Sequence, residues 1–326
     1  MKPKTKQNGF VLIVVLCMVI LLGVLLFGFN HKSRAGLLVV DDLKNSEQAL
    51  NCARGGFNIA IAAIRETEDF YKNRKLWSLI SGKDTFPVGN GNCSIMVADE
   101  NGKLNVNLLK GEKGKLDKTK IDQLLRLIDV LNQEQHDEPV ISYSLVPSII
   151  DWIDDDSEVT HLPFIKHENT GAESGYYNKL TAPYRCKNSP LEMTEELLLV
   201  KGITPEVFSR LRDYITVRGD GKININFASK YIIQSLSKNI DPALAQMIIN
   251  RRRINPFGSV AELHDVPGMT DSIYQKIANN ITVSPKKQYY LVTSQGNFND
   301  RSCTIVATLN RNKTTKNVDL IAYKEL

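Results

Sequence analysis

The chain of 326 residues contains no glycine-rich phosphate loop, no Gly-x-Ser-x-Gly elbow and no His-Glu-x-x-His pair. The usual short signatures of phosphoryl transfer, acyl transfer and zinc proteolysis are therefore missing. His161, His167 and Cys186 have no second cysteine at ligand spacing, which disfavours zinc. Net charge is only +5. The basic residues are scattered, with neither a broad basic stripe nor interleaved aromatics, which argues against nucleic acid as a partner. These absences together point to a non-enzyme.

Charge is also missing from Phe10 to Phe29. As a helix this run spans roughly 30 Å, enough to cross the hydrocarbon layer. A cleavable secretory signal has a shorter apolar core of ~7–15 residues and then a small-residue cleavage site, neither of which is present. Lys2, Lys4 and Lys6 precede the run, and Lys32 and Arg34 follow it. This slight bias favours a cytoplasmic leader, and so a single-pass inner-membrane protein with its bulk in the periplasm.

The basic leader ending in Gly9, followed by Phe10 and the apolar run, resembles the class III leaders of type IV pilins and type II secretion pseudopilins; the alternative is a plain single-span anchor. The resemblance implies cleavage between Gly9 and Phe10 by a prepilin peptidase and N-methylation of the new Phe10 amine. Most pilins place glutamate at the fifth mature position, and this chain has Val14 there. An unpaired carboxylate in lipid is costly, so the glutamate suits a subunit that docks beneath another. Its absence departs from the general pilin pattern but agrees with the family that caps pseudopilus tips.

The length suggests about two domains. Beyond the anchor, Leu43, Leu50, Phe57, Ile61 and Ile64 recur on one helical face, so the helix is expected to continue to about Glu66. Gly36, Gly55 and Gly56 each cost about 1 kcal/mol relative to alanine, predicting local bending. The alternation in NCSIMVADENGKLNVNLL, broken at Asn101 and Gly102, predicts a hairpin. Strands are expected again in QYYLVTS, SCTIVATL and VDLIAY, with helical segments between. The expected fold is α+β: a pilin-like long N-terminal transmembrane helix and small antiparallel sheet, with an inserted all-α domain. The expected division is a leader over 1–9, a transmembrane helix over 10–29, a spine with the first strands over 30–111, the insert over 112–285 and returning strands over 286–326.

Cys17 lies within the apolar span, leaving Cys52, Cys93, Cys186 and Cys303. An even number permits disulfides in an oxidising compartment. Cys93 and Cys303 each lie in a strand-like run and are the first candidate pair, with buried unpaired thiols the alternative.

Within the insert, GKLNVNLL from Gly102 is echoed by GKININFA from Gly221. Two further segments, from Thr194 and from Ser259, read as helix-hairpin-helix units. In each, a short helix ends at Gly202 or Gly268, and Thr204 or Thr270 caps the next. DNA-binding members of that class present a Gly-apolar-Gly turn to phosphate, and here threonine replaces the second glycine twice. Glu195, Glu196, Glu206, Glu262 and Asp265 flank these turns and would repel a phosphate backbone. The run Arg251, Arg252, Arg253 is the counterargument, although such a run also suits a helix C-terminus.

The densest acidic stretch runs from Asp151 through Asp154, Asp155 and Asp156 to Glu158, with Glu168 and Glu173 beyond. Its chemistry fits either an oxygen-rich Ca²⁺ loop or a solvated acidic turn. It lacks the glycine of an EF-hand loop. DWIDDDSE, GAESGYY, APYRCKNSPLEMTEELLLVKGITPEVFSRL and GKININFAS, in that order, resemble the general secretion pathway protein K family, the large minor pseudopilins of type II secretion. The resemblance implies a pilin fold with a helical insert, structural Ca²⁺, and partners among other minor pseudopilins, through the N-terminal helix, and the inner-membrane secretion assembly. It also implies Asp154, Asp156, Glu158 and Glu173 as the Ca²⁺ ligands. The spacer VTHLPFIKHENT is longer than the family pattern, which bears on how close Glu173 comes to the aspartates. The other expected classes are a membrane-anchored DNA-uptake protein and a minor pilin of a type IV pilus.

Overall fold

The computed structural model describes residues 8–66, 81–111, 114–134, 140–165 and 169–326. Lys2, Lys4 and Lys6 of the leader, with His167 and Glu168, lie outside the described residues.

One helix, α1 (Asn8–Glu66), carries both the apolar run and the spine. Its N-terminal part is apolar over an 18-residue window of mean hydropathy 3.5 and is not covered by the rest of the chain. Burial begins at Ala49 and continues through Ala53, Phe57, Ala60 and Ile64. Leu50 and Ile61 pack at the margin of this face. Leu43, expected on the same face, is instead exposed, although Asp42 and Asn45 on either side of it bond Arg301 and Asn299.

The sheet that receives α1 has the order β1-β2-β7-β8-β9, antiparallel throughout. Its strands are β1 (Ser81–Val88), β2 (Gly91–Asp99), β7 (Lys287–Phe298), β8 (Arg301–Asn312) and β9 (Val318–Glu325). Small residues set the spacing between helix and sheet. A Cβ on Gly296 would collide with the backbone of Ala49 and Ala53 and come within 2.8 Å of the Cys52 carbonyl carbon. Gly55 and Gly56 meet Val88 and Cys93 in the same way, at 2.7 and 2.9 Å. These glycines therefore serve close approach, and α1 stays one continuous helix across them.

The expected hairpin at Asn101 and Gly102 does not form. The Asp99 carboxylate accepts from the N–H groups of Asn101 (2.6 Å) and Gly102 (3.2 Å), turning residues 100–102 into a 3-10 turn that takes the chain out of the sheet. The hairpin partner of β2 is instead β1, through the turn where Val88 faces Gly91.

The expected Cys93–Cys303 bridge is also absent. Cys93 faces Gly296 on β7, and Gly296 in turn faces Cys303 on β8. A whole strand thus separates the two cysteines, roughly 10 Å at ~4.8 Å per strand, beyond disulfide reach. All five cysteines are free thiols.

Between Asp99 and Lys287 the chain builds a second, larger core, which runs from Leu104 to Ile281 and includes residues 104–109 that sequence grouped with the sheet. Two copies of one unit are recognisable. In the first, β3 (Leu104–Asn105) pairs in parallel with β4 (Ile215–Thr216); in the second, β5 (Ile223–Asn224) pairs in parallel with β6 (Ile281–Thr282). Asn107 donates to the Leu191 and Val217 carbonyls and accepts from Leu191 N–H. Asn226 does the same with both backbone groups of Phe257. The echoed asparagines thus clamp loops, as turn asparagines commonly do.

Candidate metal centre

The helix α2 (Lys118–Glu134) packs against α3 (Leu145–Ile153), every residue of which is buried. The helix α3 ends because Asp154 turns to extended backbone (φ −84°, ψ 170°), which directs the acidic stretch outward. Trp152 anchors this end, edge-on to Tyr177 (5.2 Å) and Tyr184 (6.1 Å). Tyr177 belongs to the short helix α4 (Ser174–Tyr177), whose N-cap is Glu173.

The long spacer is pinched off at its base. Asp151 Oδ1 accepts from Thr160 N–H (2.8 Å), Gly171 N–H donates to the Thr160 carbonyl (2.9 Å), and His161 bridges Thr170. Gly171 is required at the closure, since a Cβ there would lie 2.7 Å from Asp151 Cγ. The excursion therefore leaves Glu173 beside the aspartates: oxygens of Asp154, Asp156 and Glu173 lie within 4.8 Å of one another. Glu158 does not join them. It is exposed, and its backbone N–H donates to Asp156 Oδ1 (2.9 Å).

Asp154 and Glu173 are buried, and Asp154 Oδ1, Glu173 Oε1 and Asp151 Oδ2 have no hydrogen-bond partner among the described residues. Burial pushes Glu173 up to about 7, with the Asp151 carboxylate adding to it. Burial likewise pushes Asp154 up to about 6, against the pull of Lys110. Asp156 is lowered by the Glu158 N–H and by Lys110. Unsatisfied buried carboxylate oxygens are costly, and converging ones fit a hard cation that takes six to eight oxygens. The residues therefore fit Ca²⁺, with Asp154, Asp156 and Glu173 as its carboxylate donors. Lys110 and Asp151 were missed as contributors by sequence reasoning. Lys110 lies far away along the chain, and no local pattern marks it.

The helix-hairpin-helix expectation holds in detail. Gly202 (φ 85°) and Gly268 (φ 89°) take left-handed backbone. Thr204 caps α5 (Pro205–Leu211) by accepting from Val207 N–H, and Thr270 caps α8 (Asp271–Ile277) by accepting from Ile273 N–H, each at 3.3 Å. Glu196 gathers the N–H groups of Glu192 and Met193, and Glu262 those of Gly258 and Ser259. The arginine run closes α7 (Pro242–Ile254). There Arg251 donates to the Asn255 carbonyl (2.7 Å) and Arg252 to the Ile225 carbonyl. These contacts engage the Arg251 and Arg252 guanidinium groups within the fold.

Residues 102–220 match the family described as type II secretion system (T2SS), protein K, and residues 219–282 match the helix-hairpin-helix motif. The type II secretion system protein K of Klebsiella pneumoniae is 24% identical over 225 residues, 68% of this chain and 66% of that protein. That of Aeromonas hydrophila is 24% identical over 232 residues, again 68% and 66%. The chain is similar to type II secretion system protein K. A putative protein K of Escherichia coli K12 is 33% identical over 107 residues, 32% of this chain and 28% of that protein. The chain thus spans just under two thirds of the length of the first two protein K relatives. The fold also matches a chain from the GspK-GspI-GspJ complex of the enterotoxigenic E. coli type 2 secretion system. The TM-score is 0.66 at 19% identity, covering 88% of this chain and 99% of that one. The long helix, antiparallel sheet and helical insert expected from sequence are all present, and the fold is shared with that chain.

Proposed function

We propose that this chain is a minor pseudopilin at the tip of a type II secretion pseudopilus, where it initiates or caps the fibre that drives protein export across the outer membrane. The observation that carries this reading is α1: one helix joins an uncovered apolar half to a half that is packed on the sheet, and no acidic residue precedes Asp41. Without a carboxylate at Val14 the helix lacks the group that suits a subunit docking beneath another, which favours a place at the tip. Its work is assembly rather than catalysis.

In this reading the precursor sits in the inner membrane as a single-pass protein with its bulk in the periplasm. Prepilin peptidase cuts between Gly9 and Phe10 and the new amine is methylated. Other minor pseudopilins pack along α1, and the inner-membrane secretion assembly engages the same helix. The naming of a GspK-GspI-GspJ complex for the structural neighbour supports partners of this class. Calcium at Asp154, Asp156 and Glu173 stabilises the insert by neutralising the cluster. The carboxylates would hold the ion, and the clamp of Asp151 on Thr160 keeps Glu173 in place.

The test is the intact mass of the membrane-extracted protein from cells with and without the peptidase, together with its copurifying proteins. A peptidase-dependent start at methylated Phe10, with secretion pseudopilins copurifying, is expected. An intact leader in both strains, or recovery with type IV pilus subunits alone, overturns the reading.

A further inference from the structure

The candidate calcium site already contains a cation that belongs to the chain. The Lys110 ammonium lies 3.1 Å from Asp156 Oδ2, 3.3 Å from Asp154 Oδ2 and 3.4 Å from Asp155 Oδ1. Its side chain is only 13% exposed, so water screens it far less than an ordinary surface lysine. Two of these carboxylates, Asp154 and Asp156, are also members of the converging cluster. The ammonium leaves Asp154 Oδ1 and Glu173 Oε1 without partners among the described residues, so it neutralises the site only in part.

We infer that Lys110 sets the affinity of this site for divalent cations. While no ion is bound, the ammonium holds Asp154 and Asp156 together and limits their mutual repulsion. When a divalent ion enters, the ammonium opposes it by like charge and by its hold on two of the donor residues. The site is therefore preformed without the ion but loads only at a raised ion concentration. The inference rests on the calcium reading of the cluster. It adds to that reading a residue outside the acidic stretch that determines affinity.

The experiment is calorimetric titration of CaCl₂ into the detergent-solubilised full chain at fixed ionic strength and pH 7.5, for wild type, Lys110→Met, Lys110→Gln and Lys110→Arg. Thermal unfolding in chelator and in calcium accompanies it. The two neutral variants are expected to bind calcium about tenfold more tightly, a change of about 1.4 kcal/mol. They should also melt lower than wild type in chelator and show a larger calcium-induced rise in Tm. Lys110→Arg should keep the wild-type affinity. Unchanged or weaker binding by the neutral variants, with wild type still binding, overturns the role of Lys110 alone. Absence of binding in all four proteins overturns the calcium reading and this inference with it.

Discussion

Replacing Glu173 by glutamine separates the cost of the buried cluster from its use. With no ion bound, Glu173 titrates near 7 and Asp154 near 6, above the ordinary 4.5 and 3.8. A carboxyl whose folded pKa exceeds its unfolded value binds protons more tightly when folded. Its contribution to stability is therefore complete below about pH 4 and is lost as pH rises through the folded value. For Glu173 the loss approaches about 3 kcal/mol above pH 7, shared with the coupled aspartates. In chelator at pH 7.5, Glu173→Gln should then be more stable than wild type by about 2–3 kcal/mol, or about 5–10 °C in the Tm of a domain of this size. Near pH 4.5 the two should converge. Calcium at a hundred times its Kd stabilises wild type by about 2.7 kcal/mol and should raise the variant less, closing or reversing the gap. Scanning calorimetry at pH 4.5, 6 and 7.5, with chelator and with calcium, measures all of this. A variant less stable than wild type in chelator at pH 7.5, or equal stabilisation of both proteins by calcium, would refute the reasoning.

Three further outcomes follow from the packing. Gly171→Ala sets a methyl group against the Asp151 carboxylate; it should cost about 1–3 kcal/mol and weaken calcium binding by displacing Glu173, read by unfolding and titration. Gly296→Ala drives α1 off the sheet at Ala49 and Ala53, and should lower the unfolding transition of the pilin-like core by about 1–3 kcal/mol while leaving calcium binding unchanged. Without reductant, all five thiols should react with maleimide once the chain is unfolded, while Cys93, fully buried, stays protected in the folded protein; a pair released only by reductant would contradict the strand geometry.

The parts of this molecule that were legible in the sequence are those whose physics is local. The helical period of α1, the threonine caps after Gly202 and Gly268, and the β-branched runs of β7 and β8 each depend on neighbours a few residues away. Errors arose where a competing side-chain cap or a distant partner decided the outcome. Asn101 and Gly102 look like a hairpin turn, but the Asp99 cap and the close approach of Gly102 to Phe227 redirect the chain into the insert. Cys93 and Cys303 both lie on strands, as expected, and the intervening β7 is invisible until the strand order is known. Of the four expected ligand residues, three converge and Glu158 does not. Its backbone N–H is drawn to Asp156 while its carboxylate faces solvent.

The repeated unit carries opposite charge at the ends of two of its helices, which bears on the proposed cation site. Glu196, Gly202, Thr204 and Ile215 recur at the same spacing as Glu262, Gly268, Thr270 and Ile281, and Asn107 and Asn226 clamp equivalent loops. In the second copy, α7 ends on Arg251, Arg252 and Arg253, whose positive charge complements the negative end of the helix dipole. In the first copy, α3 ends on Asp154, which adds a buried carboxylate to that negative end. That arrangement is unfavourable by itself, and the excursion closed by Asp151 and Gly171 aggravates it by bringing in Glu173. A positive charge must come from elsewhere. Lys110 supplies one from across the unit, and the two oxygens it leaves unpartnered among the described residues are where the proposed ion would bind. An acidic helix end in a fold whose other copy has a basic one thus favours the proposed cation site.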